Sequence, residues 1–331
     1  MIRSVEIKGL RGIREGKLTD LSPLVVLVGP NGSGKSTIIE GILIGASPLT
    51  TEAIVQVIRR HEAGGSGPRW LLWRAGEGVP TEVIVTTKGG MSRTCRLQLD
   101  RGRPQNETLI TFVLELHGSQ AGNGWLRGGK NKLEAWASSG FIPLENVQEV
   151  RLVEAYPTPF QTPLHELYTN AVRQGRRKEA IGIVSEVFPG VSNVEILTEH
   201  GEPILHFVFA EYSVPASLAG DGVYSLLRLS LELAASGGGV ALLEEPEVHQ
   251  HPGAIRQSAR AILAAVRRQI QVVLTTHSLE LIDALLAESS DQDLSSFSLY
   301  RLQLQNGDLK YSRLPGPDIA FSRAEIEDDL R

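Results

Sequence analysis

The sequence predicts an α/β protein: a mixed sheet, with a β-rich antiparallel part and a helical insertion set into it. Three observations carry this. The apolar run Leu24-Val25-Val26-Leu27-Val28 leads through a glycine-rich loop into helical spacing from Ile38 to Ile44. After Pro203, strand-like and helix-like segments alternate, which implies parallel pairing through crossovers. Between about residues 68 and 117, four β-rich runs are joined by short, polar, glycine-bearing links, which favour hairpins or a meander.

Taken in order, Arg3–Ile7 and Ile13–Leu18 read as short strands around the turn Gly9-Leu10-Arg11-Gly12. Leu24–Val28 is apolar throughout, as a strand buried on both faces must be. The four β-rich runs are Arg69–Arg74, Glu82–Thr87, Arg93–Leu99 and Leu109–Leu116. Residues 118–140 are glycine-rich and read as a mobile loop. Pro163–Val187 turns helical. Leu205–Phe209 then reads as a strand leading to a helix near 222–235, strand 239–243, helix 253–268, strand 270–274 and helix 278–287. The last forty or so residues read as a hairpin and an acidic helical tail. The expected organisation is a single head over 1–331, with a nucleotide core at 1–50 and 205–290, an inserted lobe at 51–204, and the hairpin and tail at 291–331.

Composition narrows the classes. Among 331 residues, 41% are hydrophobic and 21% charged, so a sizeable core can form in one large domain or two. The 34 glycines follow no triplet period, which excludes a fibrous chain. A net charge of −5 argues against a surface that coats nucleic acid or acidic membrane. The single cysteine, Cys95, cannot form an internal disulfide, and no Cys/His cluster suggests zinc. No apolar run reads as a leader or a membrane span. The expectation is a cytoplasmic protein without membrane contact.

The strongest motif is Gly29-Pro30-Asn31-Gly32-Ser33-Gly34-Lys35-Ser36, a GxxxxGK[ST] pattern after a strand and before a helix. Its glycines let backbone N–H groups curl around phosphates, and the helix adds its positive end. With Thr37, these residues form the expected nucleotide-binding set. Lys35 is expected to reach the β and γ phosphates, and the Ser36 hydroxyl to ligate Mg²⁺. The nearest string to a guanine-reading NKxD is Asn131-Lys132-Leu133-Glu134, which ends in the wrong acid. ATP is the expected nucleotide.

A second motif, Val240-Ala241-Leu242-Leu243-Glu244-Glu245, is an apolar strand ending in two acids. In that reading Glu244 holds Mg²⁺, directly or through water, and Glu245 polarises the attacking water. Beyond it, Val272-Val273-Leu274-Thr275-Thr276-His277-Ser278 ends another buried strand in a polar turn, and His277 is expected near the γ-phosphate.

These residues resemble the ABC-class ATPase heads, a group that includes the SMC/RecF repair ATPases and the OLD-type ATPases of bacteria. The matches are GPNGSGKS at 29–36, LLEEPEVHQHP at 242–252 and TTHS at 275–278, and the EEPExHxHP form resembles the OLD-type group more than the transporters. Glu244 stands where the family usually has Asp. Lys8-Gly9-Leu10-Arg11 resembles the family's Lys-x-Phe-Arg element with Leu10 for Phe, which puts Arg11 in the nucleotide set. The resemblance makes Glu247–His251 the D-loop at a dimer interface. It also asks for a signature loop that completes the partner's site, for which Ser217-Leu218-Ala219-Gly220-Asp221-Gly222 is the candidate. Gly220 and Gly222 would bring backbone N–H groups near phosphate; Ala219 falls where the usual serine stands, leaving that role to Ser217 or to none. Asp221 is the expected N-cap, and a simple capped core helix is the alternative reading. Gln98, Gln148 and Gln161 are all candidates for the Q-loop glutamine.

The function implied is an ATP-binding and hydrolysing switch, whose heads form a homodimer around two ATP. By analogy it regulates a separate effector protein in a bacterial antiviral defence-type system. An OLD nuclease would carry a TOPRIM domain after the ATPase, and the roughly fifty residues after His277 and its helix leave no room for one. The alternative is a RecF-like DNA-repair ATPase that binds duplex DNA directly through Arg173–Lys178 or Arg127–Lys132.

Overall fold

The computed structural model describes residues 1–60, 64–76, 79–102, 107–129, 132–138, 140–154, 161–326 and 329–330. The chain opens with an antiparallel pair, β1 (Ile2–Leu10) and β2 (Ile13–Leu18), and Arg11 in the turn takes a left-handed φ of 48°. β3 (Leu24–Val28) is buried along its whole length. Its alternation divides the core. Val25 and Leu27 join the cluster holding Ile38, Ile39 and Ile42 of α1 (Lys35–Ala46), whereas Leu24, Val26 and Val28 join the cluster on the opposite face. α2 (Thr50–Arg60) packs into the first cluster through Ala53, Ile54, Val57 and Ile58.

An antiparallel meander follows: β4 (Thr81–Thr87), β5 (Ser92–Asp100), β6 (Thr108–Leu116), β7 (Ser119–Gly129) and β8 (Lys132–Ala137), with β4 paired to β1. Arg93 in β5 is fully buried and donates to the carbonyls of Gly45, Ser47 and Ile142, so it ties down the end of α1. Burial pushes its guanidinium down to about 10. After β9 (Val150–Val153) come α3 (Leu164–Arg173), α4 (Arg177–Ser185), β10 (Asn193–Glu199), β11 (Glu202–Val208) and β12 (Ser213–Pro215). The remainder is α5 (Asp221–Ala235), β13 (Val240–Glu244), α6 (Pro252–Arg267), β14 (Gln271–Thr275), α7 (Leu279–Ala287), α8 (Asp291–Ser295), β15 (Phe297–Gln305), β16 (Asp308–Pro315) and α9 (Gly316–Phe321).

The main sheet runs β8-β7-β6-β5-β4-β1-β2-β16-β15-β3-β14-β13-β9. β15, β3, β14, β13 and β9 pair in parallel, so their C-terminal ends share one edge. β10, β11 and β12 form a separate antiparallel sheet that packs with α3, α4 and α5. The mixed α/β architecture is therefore the one expected. Among the described residues no helix is long and apolar enough to cross a membrane.

Local expectations fail in four places. Arg69–Arg74 is not a strand but part of two tight 3₁₀ turns, Gly64–Leu71 and Trp73–Gly76, with Arg74 and Ala75 at φ 45° and 57°. Its Leu71 and Leu72 plug the core, so their apolarity reports burial and not pairing. The glycine-rich 118–140 segment holds the β7–β8 hairpin. Gly124 sits where an added Cβ would meet the Phe112 ring at 2.5 Å, so glycine here serves close packing. Leu205–Phe209 overlaps β11, which lies in the small sheet and not in the parallel one. β9, within the 51–204 span, pairs with β13 in the parallel sheet.

Candidate functional site

β3 ends beside the loop that begins α1. Gly29, Gly32 and Gly34 take φ of 139°, 77° and 95°, conformations that side chains rarely adopt. Gly34 is the N-cap of α1 and offers no side-chain cap, so the first-turn N–H groups await an outside acceptor. Ser33 Oγ is buried with no hydrogen-bond partner among the described residues. Lys35 is buried, and its Nζ donates to the carbonyls of Gly29 at 2.7 Å and Pro30 at 3.2 Å. Burial lowers its ammonium pKa, with Glu245 and then Glu244 opposing that shift. A desolvated cation, an orphaned hydroxyl and open N–H groups fit a polyphosphate.

β13 and β14 pair in register, Glu244 opposite Thr275, so both acids and the Thr275–Ser278 turn emerge together at the sheet edge. Glu245 takes a left-handed φ of 45°, and its N–H donates to Thr275 O at 3.1 Å and Thr275 Oγ1 at 3.2 Å. His277 Nε2 lies 3.7 Å from Glu245 Oε1. Glu247 accepts from the Thr276 hydroxyl at 2.5 Å and the His277 N–H at 3.4 Å, and burial pushes its carboxyl pKa up. Among the described residues no set of three or more His, Cys, Asp or Glu side chains could hold a metal alone. That suits Mg²⁺, which keeps waters and takes one or two protein ligands beside phosphates. Ser36 and Glu244 fit that role.

The phosphate loop, Glu244, Glu245 and His277 are thus brought together. The 217–222 loop is not joined to them: among the described residues no hydrogen bond links it to residues 29–37. Ser217 lies in a 3₁₀ turn, Ala216–Leu218, and Gly220, not Asp221, is the N-cap of α5. The cap is corrected because the backbone at Gly220 has φ 90°, a conformation suited to glycine, while Asp221 already occupies the first turn. A Cβ on Gly220 would meet nothing, whereas one on Gly222 would meet His249 O at 2.6 Å. Of the three glutamines, Gln161 comes after β9 in the chain, Gln148 precedes it, and Gln98 is on β5.

Arg11 turns to Glu40, with Nε 3.3 Å from Oε2. Glu40 is fully buried and also meets Arg60, which in turn pairs with Glu154 and Glu244. Sequence reasoning missed this cluster, although Glu40, the one charge in the run Ile38–Ile44, was a visible signal. Of the basic clusters, Arg176 donates to Ser236 O, and Arg177 donates to Asn193 and lies over Tyr168. In the other, Arg127 covers Trp125, and residues 130–131 lie outside the described residues. The Asn131–Glu134 string falls partly outside them too, and its remainder is on β8, at the far edge of the sheet.

Residues 92–283 match the family model described as "AAA domain, putative AbiEii toxin, Type IV TA system", and residues 4–60 match a further AAA-domain model. The chain belongs to this AAA family. Its fold is that of the SMC heads. This AAA domain is 33% identical over 82 residues to the uncharacterized protein MJECL11 of Methanocaldococcus jannaschii, covering 24% of this chain and 72% of that one. An SMC head bound to the C-winged helix domain of ScpA is similar in structure, with a TM-score of 0.53 and 14% identity over 95% of this chain and 98% of that one. The Pyrococcus furiosus Smc head with an extended coiled coil, bound to the C-terminal domain of ScpA, gives a TM-score of 0.51 and 12% identity over 99% of each chain. Likeness at this identity carries the fold alone.

Proposed function

We propose that this AAA domain is an ATP-hydrolysing switch whose heads pair around ATP and Mg²⁺ and act on a separate effector protein in a defence-type system. The observation that carries the reading is the meeting of the phosphate loop with Glu244, Glu245 and His277 at one sheet edge. Gly29–Thr37 would hold the nucleotide, and Ser36 and Glu244 the metal, whose charge would neutralise developing negative charge on the phosphates. Glu245 takes the proton of the attacking water, and His277 orients Glu245 and meets the γ-phosphate. Lys35 exchanges the carbonyls of Gly29 and Pro30 for phosphate oxygens. Ser217, Gly220 and Gly222 act on the partner head's nucleotide.

The effector part of the reading is supported by the family's printed description, which names a toxin–antitoxin system, and by SMC heads that carry ScpA domains. Direct duplex binding is the weaker alternative, because Arg176 and Arg177 are engaged within the chain. The test is light scattering with and without ATP, together with phosphate release, followed by a salt titration on plain duplex. ATP-dependent doubling of mass with phosphate release supports the switch. A chain that neither binds nor turns over ATP overturns it. Tight, ATP-dependent duplex binding that salt weakens steeply favours the DNA reading.

A further inference from the structure

Arg60, the last residue of α2, points a buried guanidinium at three carboxylates, one on each nitrogen. Nε lies 2.5 Å from Glu154, the first NH₂ group 3.4 Å from Glu40, and the second pairs with Glu244 Oε2. The four side chains come from α2, α1, the end of β9 and the end of β13. Arg60 and Glu154 are each 7% exposed and Glu40 is 0% exposed. Buried charges persist only when paired, and a planar fork of five donors is what can hold three anions at once. Arg11 is also on Glu40, so two guanidinium groups meet on that buried carboxylate.

We infer that Arg60 is a positioning residue for the metal-side carboxylate. It holds Glu244 by Oε2 and leaves Oε1, which has no other partner among the described residues, for Mg²⁺ or a metal-bound water. Glu154 and Glu40 seat the guanidinium, and Arg60 in turn sets the rotamer of Glu244. Partners of this outer kind fix a ligand's orientation, and their loss typically lowers metal affinity about 10–100-fold. The inference rests on the reading that ATP and Mg²⁺ bind at Lys35, Ser36 and Glu244.

The test titrates Mg²⁺ into the full chain holding a fluorescent ATP analogue, after affinity for the analogue has been measured in EDTA. The parent must bind the analogue in EDTA and tighten with Mg²⁺; failure there overturns the ATP–Mg²⁺ reading itself. Arg60→Lys keeps the charge but cannot span three carboxylates. Its EDTA affinity should match the parent, while the Mg²⁺ half-saturation point rises about tenfold. A parent-like Mg²⁺ point in folded Arg60→Lys overturns the inference and leaves the ATP reading standing. Should Arg60→Lys not fold, Glu154→Ala, which unseats Nε, decides. Its Mg²⁺ point should rise and stay raised at high salt, as an effect between buried groups does. A rise that salt abolishes, or none, overturns the inference.

Discussion

Glu245 Oε1 and His277 Nε2 stand 3.7 Å apart, although 31 residues of chain and one helix separate them in sequence. The backbone makes the approach. Glu245 leaves β13 with φ 45°, pinned by two bonds to Thr275, and His277 is two residues further along that same turn. Glu245→Gln keeps the shape and removes the base. Turnover should fall about 10²–10⁴-fold, while ATP binding stays at least as tight. Mass should double with ATP and stay doubled, read by light scattering. Parent-like turnover would exclude Glu245 as the base.

Lys35→Ala should abolish ATP binding in a direct titration. In the parent, the ammonium is desolvated and, among the described residues, donates to carbonyls of its own loop. An incoming polyphosphate is the stronger partner, through charge-assisted bonds. Near-parent affinity in this variant would mean that the loop is not the nucleotide site.

Most of the parallel core was legible in the sequence because its signals are local. Burial on both faces of a strand shows in an unbroken apolar run such as Leu24–Val28, and a phosphate loop shows in its glycines. What escaped depends on distant packing. Gly124 looked like a turn residue until Phe112 was found against it, and Leu71 and Leu72 looked like strand until they proved to be a plug. Arg60 and Glu154 carry no motif, and the bond of Glu247 to the Thr276 hydroxyl does not show in the EEPExHxHP run that holds it; their meaning comes from elements that pack across the sheet edge. Glu40 alone announced itself, as a charge inside an apolar helix.

Acid sensitivity should centre on Asp293. The Arg267 guanidinium, and then the Ser290 backbone and hydroxyl, hold its carboxyl at about 2, below the ordinary 3.8. A depressed folded pKa stabilises above the unfolded value, and that contribution is lost as pH falls through the window from 3.8 to about 2. Asp293 also closes the capping box of α8 with Ser290, and loss of such a cap typically costs about 1 kcal/mol. Asp293→Asn should lower the urea midpoint at neutral pH, and the gap to the parent should narrow through that acid window. A gap independent of pH would mean that Asp293 acts through shape alone.

Free thiol chemistry should be silent in the native state. Cys95 is fully buried, and burial pushes its thiol up to about 12. A disulfide reagent should label it only after unfolding, since the thiolate is the reactive form. Rapid labelling of the folded chain would place β5 in an open equilibrium that its packing does not suggest.

Gly220 and Gly222 should separate an interface from a packing contact. Gly222→Ala drives a Cβ against His249 O, so it should lower stability by about 1–3 kcal/mol whatever the nucleotide. Gly220 has open space around it, and its φ of 90° is the only local demand for glycine. Gly220→Ala and Gly220→Asp therefore share one backbone strain, about 1–3 kcal/mol. Only the aspartate adds a charge. In the closed dimer that charge would face phosphate across the interface, where like charges repel most strongly because water is excluded. Built into Glu245→Gln, where dimers persist, both variants should keep the monomer's ATP affinity. The alanine should still double its mass with ATP in light scattering, and the aspartate should not. Equal dimerisation by the two would make the 217–222 loop a helix start and nothing more.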